Sequence, residues 1–285
     1  FSFAKVPYGT WIIREIESPK GYVLSEEEIA VTIGKVDEVV EIELVNYFIK
    51  GNIALTKVDE DYPDNKLSGA VFEVYSDTNG DGKLDKDDTL LGEMKELDGG
   101  VYQMSELRYG KYLVKETKAP TGFVLDENVY AVSIEENGKT YTVENKAGVG
   151  FINAAQKGSL KIVKTSSDGK VEGFSFRVTG VDYDQTFKTD KNGEIVIEGL
   201  RIGDYTVSEV SDKASAGYIL PADKQATVKV DATAIVQMHN EFRDTPKTGD
   251  DFNLGLWVSL AALSVVGAGV LGFVGYKNRK KKKED

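Results

Sequence analysis

The chain has 285 residues, no cysteine, one histidine and a net charge of −12. Disulfides and thiolate metal sites are excluded, and His239 alone supports neither a Ser-His-Asp centre nor a multi-histidine zinc site. The acidic balance opposes binding to a phosphate backbone, so nucleic acid is not an expected partner.

Phe1 opens inside a strand-like alternation, so the sequence reads as part of a longer chain whose missing leader says nothing about export. The first clear element is "YGTWIIRE", Tyr8 to Glu15, with the frame Gly-x-aromatic-x-x-x-Glu. "ESPKGY" follows, with its Gly21-Tyr22 pair, and then an alternation that puts Ile42, Leu44 and Asn46 on one face. Residues 1–50 therefore read as the second half of a β-sandwich.

Residues 51–157 read as a complete sandwich. Its first strand, "NIALTKVDE", places Ile53, Leu55 and Lys57 on one face. "YPDN", Tyr62 to Asn65, contains no lysine and is given no role. "DTNGDGKLDKDD" has oxygen-bearing side chains at loop positions 1, 3, 5, 9 and 12 (Asp77, Asn79, Asp81, Asp85, Asp88), with Gly82 at position 6 and Lys83 at 7. That spacing predicts a calcium loop, since short acids wrap the ion and glycine permits the sharp turn. Its last position is Asp rather than Glu, and the alternative is a metal-free acidic hairpin. "YGKYLVKE" repeats the earlier frame and puts Tyr112, Val114 and Glu116 on one face; "KAPTGF" follows, with Gly122-Phe123. The last strand places Val149 and Phe151 with Asn153.

Residues 158–243 repeat the scheme. In "GSLKIVKTS", Leu160 and Ile162 share a face with Lys164 while Lys161 points outward. "IGDYTVSE" ends on Glu209; the segment before Gly217-Tyr218 lacks the proline and is two residues longer. The last strand carries Val236, Met238 and Asn240 on one face and His239 on the other, at the surface. Glu15, Glu116 and Glu209 are 101 and 93 residues apart, a domain-sized period. With alternating segments bounded by Gly, Asn and Asp turns throughout, the fold class is all-β, as tandem β-sandwiches. The short connections "IKGN" and "AAQKGS" predict a stiff rod.

A linker, 244–251, contains "TPKTGD". From Phe252 to Tyr276 there are 25 residues without a charge, followed by the basic tail 277–285. Such a span predicts one transmembrane helix, and its basic flank stays cytoplasmic, leaving everything before Phe252 outside.

Each complete sandwich thus brings a Lys, a Glu and an Asn to apolar faces, where unpaired polar groups are costly. Burial lowers a lysine's pKa and raises a glutamate's. A neutral amine, a protonated carboxyl and a carboxamide held in contact are the components of a Lys–Asn amide bond, with proximity supplying much of the acceleration. The alternative is a hydrogen-bonded trio without a bond.

The pattern "LTKVDE…LSGAVFEVY…YGKYLVKETKAPTGF…VGFINA" resembles the collagen-adhesin B-type, SpaA-like prealbumin-fold domains of Gram-positive surface proteins and pilins, and "YLVKETKAP" looks like their E-box. The resemblance implies prealbumin-like (Ig-like) sandwiches with spontaneous isopeptide bonds at Lys57, Glu116, Asn153 and at Lys164, Glu209, Asn240; Glu15 and Asn46 match a third, partial trio whose lysine would lie upstream. "TPKTGD" with the span and tail is similar to a sortase sorting signal, Thr245, Pro246, Lys247, Thr248 and Gly249, with Thr245 in place of the usual leucine. It implies cleavage between Thr248 and Gly249 and joining of Thr248 to peptidoglycan or a pilin subunit at the cell wall. The expected role is the stalk of an adhesin or minor pilin, single-turnover in its chemistry and not an enzyme. The alternative is that the domains themselves bind a host matrix protein or glycan.

Overall fold

Alternating segments become strands where a neighbour is available to take their hydrogen bonds. The computed structural model describes residues 1–243, and every regular element in them is a β-strand. The motif Thr245–Gly249, the uncharged segment 252–276 and the basic tail lie outside the described residues.

Residues 1–50 supply one antiparallel pair, β1 (Gly9–Arg14) with β2 (Glu28–Ile33). The expected strand through Ile42, Leu44 and Asn46 is not formed: this stretch has no regular structure, and Ile42 and Leu44 are 36% and 38% exposed. The physical reason is the lack of a partner. In the two sandwiches that follow, the last strand pairs with the first, and no strand within residues 1–50 occupies that place.

The second unit contains β3 (Lys50–Asp59), β4 (Val71–Ser76), β5 (Thr89–Glu93), β6 (Lys95–Glu96), β7 (Val101–Arg108), β8 (Gly110–Lys118), β9 (Val129–Ile134), β10 (Thr140–Thr142) and β11 (Phe151–Asn153). One sheet runs β10-β3-β7-β6, with β11 also on β3; the other runs β5-β4-β8-β9. Their facing sides bury Ile53, Leu55, Phe72, Val74, Tyr102, Tyr112, Val114 and Phe151. The last strand is shorter than its alternation implied. Val149 sits in a turn and is only half-buried, and the intervening loop leaves β10 and β11 as two short parallel pairings on β3.

The third unit contains β12 (Lys157–Ser166), β13 (Ser175–Gly180), β14 (Tyr183–Lys188), β15 (Glu194–Arg201), β16 (Gly203–Val210), β17 (Tyr218–Ile219), β18 (Lys224–Val228) and β19 (Thr233–Phe242). Its sheets are β15-β12-β19-β17 and β14-β13-β16-β18, packed over Leu160, Ile162, Phe174, Phe176, Val178, Tyr205, Val207 and Met238. Here the last strand is continuous, pairing in parallel with β12 from Ser159↔Thr233 to Ser166↔Asn240. Gly158 permits this closure: a Cβ there would lie 2.1 Å from the Lys229 carbonyl oxygen. First and last strands are therefore parallel neighbours in both complete sandwiches, which places the start and the end of each domain at opposite ends of the strand pair.

Candidate functional site

Lys57, Glu116 and Asn153 lie on inward faces of β3, β8 and β11 and are 0%, 0% and 3% exposed. In the parallel pairing Lys57 is opposite Phe151, so Asn153 is its diagonal neighbour, two residues on. The Lys57 ammonium donates to the Phe151 carbonyl oxygen at 2.9 Å and sits 5.3 Å from the Phe151 ring centre. Asn153 Nδ2 donates to both carboxyl oxygens of Glu116, at 3.0 and 2.9 Å. Asn153 Oδ1 is buried without a hydrogen-bond partner. Burial pushes Lys57 down to about 8, against the attraction of Glu116, Asp126 and Asp59. It pushes Glu116 up, against hydrogen bonds from the Asp126 backbone and Asn153. The fold thus favours the neutral form of both groups.

The third sandwich repeats the arrangement. Lys164 and Asn240 are 1% and 0% exposed, Lys164 is opposite Met238, and Asn240 is again two residues on. Asn240 Nδ2 donates to Glu209 Oε1 at 2.7 Å, and Lys164 donates to the Thr165 carbonyl with its ammonium 4.2 Å from the Phe174 ring centre. Burial lowers the Lys164 pKa and raises that of Glu209. Glu209 Oε2 and Asn240 Oδ1 are both buried and unpartnered. His239 is on the opposite, exposed side, with Thr165 and Glu241 as its neighbours.

In residues 1–50 the pair Glu15 and Asn46 is assembled although the strand is not. Asn46 Nδ2 donates to both Glu15 oxygens at 2.9 and 2.7 Å and to the Val23 carbonyl at 3.2 Å. Both residues are half-buried.

One supporting contact escaped the motif reading although its spacing is visible. The backbone N–H ten residues after the glutamate caps Oε2, from Ser25 to Glu15 and from Asp126 to Glu116, each at 2.8 Å. In the third sandwich the place four residues after the glycine, held by Ser25 and Asp126 in the other two, is taken by Pro221, which has no N–H, and Glu209 Oε2 is left without a donor. A second group, not visible in local sequence, is Asn145. Its side chain donates to Asp126 Oδ2 and the Ile152 carbonyl at 2.8 Å each and accepts the Ile152 N–H at 2.6 Å, pinning β11 beside the trio.

The loop Asp77–Asp88 is inserted between β4 and β5 and follows a tight path through Gly80 and Gly82, both at positive φ. Asp77 is 7% exposed, and its carboxylate accepts the N–H groups of Gly80 and Gly82 at 2.7 and 3.1 Å. Asn79 and Asp81 cap Asp81 and Lys83, while Asp88 accepts from Thr78 and Asp85. These side chains are spent on backbone donors, and among the described residues no three acids converge as a metal-ligand set. Asn79 also donates to Asp85 Oδ2 at 3.2 Å, so loop positions 3 and 9 face each other.

Consecutive units are joined by a repeated ladder. The Gly21 carbonyl accepts the Ile49 N–H and the Ile49 carbonyl accepts the Tyr109 N–H, both at 2.9 Å. Gly122, Gln156 and Ile202 repeat this at 2.8 and 3.1 Å. The second Gly-aromatic pair of the first two repeats is therefore a joint element, and the residue before Gly110 or Gly203 is its receptor. Arg108 at the first joint lies 3.9 Å from the Phe48 ring centre; Arg201, its counterpart, binds Asp59 and Asp61 at the second.

Comparison with known proteins follows the same division. The family described as SpaA, prealbumin-like fold domain, matches residues 1–47, 51–147 and 158–242. No curated protein matches. The Bacillus anthracis TIE protein superposes with a TM-score of 0.64 at 27% identity, over 83% of this chain and 42% of its own, so this chain spans less than half of that structure. More distant are the C-terminal fragment of the pilus adhesin SpaC from Lactobacillus rhamnosus GG (TM-score 0.43, 13% identity, 70% of this chain and 98% of its own) and GBS52, the minor pilin of Streptococcus agalactiae (0.31, 16%, 70% and 99%). Three matches covering most of the sequence, on sandwiches closed by parallel first and last strands, establish that the chain belongs to the SpaA family of prealbumin-like fold domains.

Proposed function

We propose that the chain is the stalk region of a sortase-anchored Gram-positive surface adhesin or minor pilin, stiffened by intramolecular Lys–Asn isopeptide bonds. One observation carries the reading: amine, carboxyl and carboxamide are sequestered together twice, in the same strand register, with the carboxamide oxygen left unpartnered each time. Buried groups of this kind are costly unless paired, and a covalent bond removes the cost.

The reaction balances within the trio. Transfer of one ammonium proton from Lys57 to the Glu116 carboxylate produces a neutral amine and a carboxylic acid together. Rotation of the Asn153 carboxamide by half a turn brings Oδ1 to the acid, which donates to it and polarises the carbonyl. Lys57 Nζ then bonds to Cγ, the Cγ–Nδ2 bond breaks, and Glu116 relays an amine proton to the departing nitrogen. The net change is one amide formed and one ammonia lost. Lys164, Glu209 and Asn240 react in the same way. Glu15 and Asn46 await a lysine from outside residues 1–50.

On the same reading the Asp77–Asp88 loop would take a calcium ion, and Asp77, Asn79, Asp81, the Lys83 carbonyl, Asp85 and Asp88 would hold it. It gives Thr245–Gly249 to a sortase, which would cut between Thr248 and Gly249 and pass Thr248 to peptidoglycan or a pilin subunit. The precursor is held in the membrane by 252–276, and the mature protein stands on the cell wall.

Intact mass tests the crosslinks. The wild-type chain is expected to be lighter than its sequence by two ammonia molecules, Glu116→Gln or Glu209→Gln by one, and the double variant by none. An unmodified wild-type mass overturns the proposal.

A further inference from the structure

The joint between the second and third sandwiches holds a charge pair that the crosslinking chemistry leaves unused. Asp59 lies two residues after Lys57 on β3, directly opposite Asn153 in the parallel register, and is 2% exposed. Its carboxylate accepts the Asp61 N–H at 2.9 Å. Its cationic partner comes from the next domain. Arg201, the last residue of β15, donates to the two Asp59 oxygens at 2.7 and 2.9 Å and to Asp61 at 3.0 Å. The guanidinium is boxed in by Tyr62 and Phe123, 5.0 and 5.8 Å from their ring centres, and the side chain is only 15% exposed. A bidentate pair this dry is not a surface ion pair of negligible consequence.

Lys57 faces three acids: Glu116 from β8, Asp126 from the segment leading to β9, and Asp59 from its own strand. Asp126 is tied to Tyr130, Asn128 and Asn145. Every negative charge left uncompensated near Lys57 favours the ammonium, which is the unreactive form. In the third sandwich the position two residues after the lysine is Ser166, opposite Asn240 and neutral. The further acid near Lys164 is Asp168, which accepts from Ser166, Tyr218 and the Lys170 N–H within the third sandwich and is not part of the joint.

We propose that Arg201 is a positioning residue for the Lys57–Asn153 crosslink: by neutralising Asp59 and fixing the end of β3 beside β11, docking of the third sandwich completes the reactive site of the second. The inference rests on the crosslinking reading above. It makes closure of one stalk domain depend on correct seating of the next, while the Lys164–Asn240 bond is independent of the joint and serves as an internal control.

The test uses the full 285-residue chain, synthesised in a cell-free reaction with detergent, stopped, and shifted into buffers from mildly acidic to alkaline. Loss of ammonia at each trio is followed by mass analysis of the crosslinked peptides. Arg201→Gln is expected to slow the Lys57–Asn153 bond several-fold at neutral pH and to move the midpoint of its rate–pH profile up by roughly one unit. The double variant Asp59→Asn with Arg201→Gln should return the midpoint toward wild type, and Asp59→Asn alone should move it down. The Lys164–Asn240 profile should not change in any of them. An unmoved midpoint in Arg201→Gln, or equal slowing at both trios, overturns the coupling while leaving the crosslinks intact. Should Arg201→Gln fail to fold, Asp59→Asn decides alone: an unmoved midpoint overturns the proposal. A wild-type chain with no bond at Lys57 defeats the crosslink reading itself.

Discussion

Lys57 shows how far the sandwich core imposes a protonation state on one side chain. The ammonium is fully buried, and burial outweighs three acidic neighbours to bring it to about 8 from an ordinary 10.5. In a chain that cannot react, this must appear as a pH-dependent stability. Asn153→Ala removes the electrophile and leaves Lys57 as an amine. Between about 8 and 10.5 its unfolded form holds a proton that the folded form has released, so stability rises with pH across that window and levels off above it. Below the window both states are charged and the full burial penalty remains. The gain is at most about 3 kcal/mol. Glu116 acts in the opposite direction at lower pH: its raised value means stability is lost as pH climbs through its titration. The variant should therefore be weakest near neutrality. Urea midpoints against pH measure this, and the wild type should lack the alkaline rise because an amide nitrogen does not titrate. A flat alkaline profile for Asn153→Ala, identical to that of the double variant with Lys57→Met, would show that Lys57 is not sequestered.

At the scale of elements, the loop Asp77–Asp88 has a structural role before any ion is considered. It folds back onto the outer face of β8 and β9: Lys111 donates to the Gly80 carbonyl at 2.8 Å, and a Cβ on Gly82 would lie 3.9 Å from Ala131. Leu113, on that outer face, is 0% exposed although it is not part of the inter-sheet core. Closing the loop with calcium would then stabilise the whole second sandwich. At about a hundred times its Kd, calcium should add about 2.7 kcal/mol to unfolding of a chain with Lys57→Met, in which the sandwich can open. Asp85→Ala should abolish the gain, and no shift in the melting profile with millimolar calcium would remove the ion. This loop was legible in the sequence as spacing, and the strands were legible because period-two alternation survives wherever a sheet has one buried face. The trios were legible by the same parity, since a lysine, glutamate or asparagine in phase with Ile53, Tyr112 or Phe151 has to point inward. Three features were hidden. The segment through Ile42 and Leu44 has the pattern but no partner, and pattern alone does not make a strand. The last strand of the second sandwich is split by a tight turn over residues 147–149, closed by the Lys146–Gly150 bridge, that interrupts the alternation. Arg201 and Asp59 are 142 residues apart, a distance over which no local periodicity carries information.

For the molecule as a whole, the parallel arrangement of first and last strands decides where force travels. Load enters the second sandwich at Lys50, runs along β3 to Lys57, and leaves beyond Asn153 toward β12, which begins at Lys157. Without a bond the two strands are sheared past each other and everything between them is free to unravel. With the bond, tension crosses from Lys57 to Asn153 through a covalent link, and the strands between remain outside the force path. A loop closed by that bond would also stabilise at rest, by about 4–5 kcal/mol if the chain-entropy treatment of a disulfide applies. Asn153 is 96 positions after Lys57 and Asn240 is 76 after Lys164. At about 3.5 Å per residue the two proposed bonds would hide roughly 340 and 270 Å of contour length. In single-molecule stretching from the two ends of the chain, wild type should show neither release up to forces that detach the tether. Lys57→Ala should restore a release near the larger value and leave the smaller one locked, and Lys164→Ala should do the converse. If wild type releases both lengths in the same force range as the variants, the stalk is held by hydrogen bonds and packing alone, and its resistance to extension has no covalent origin.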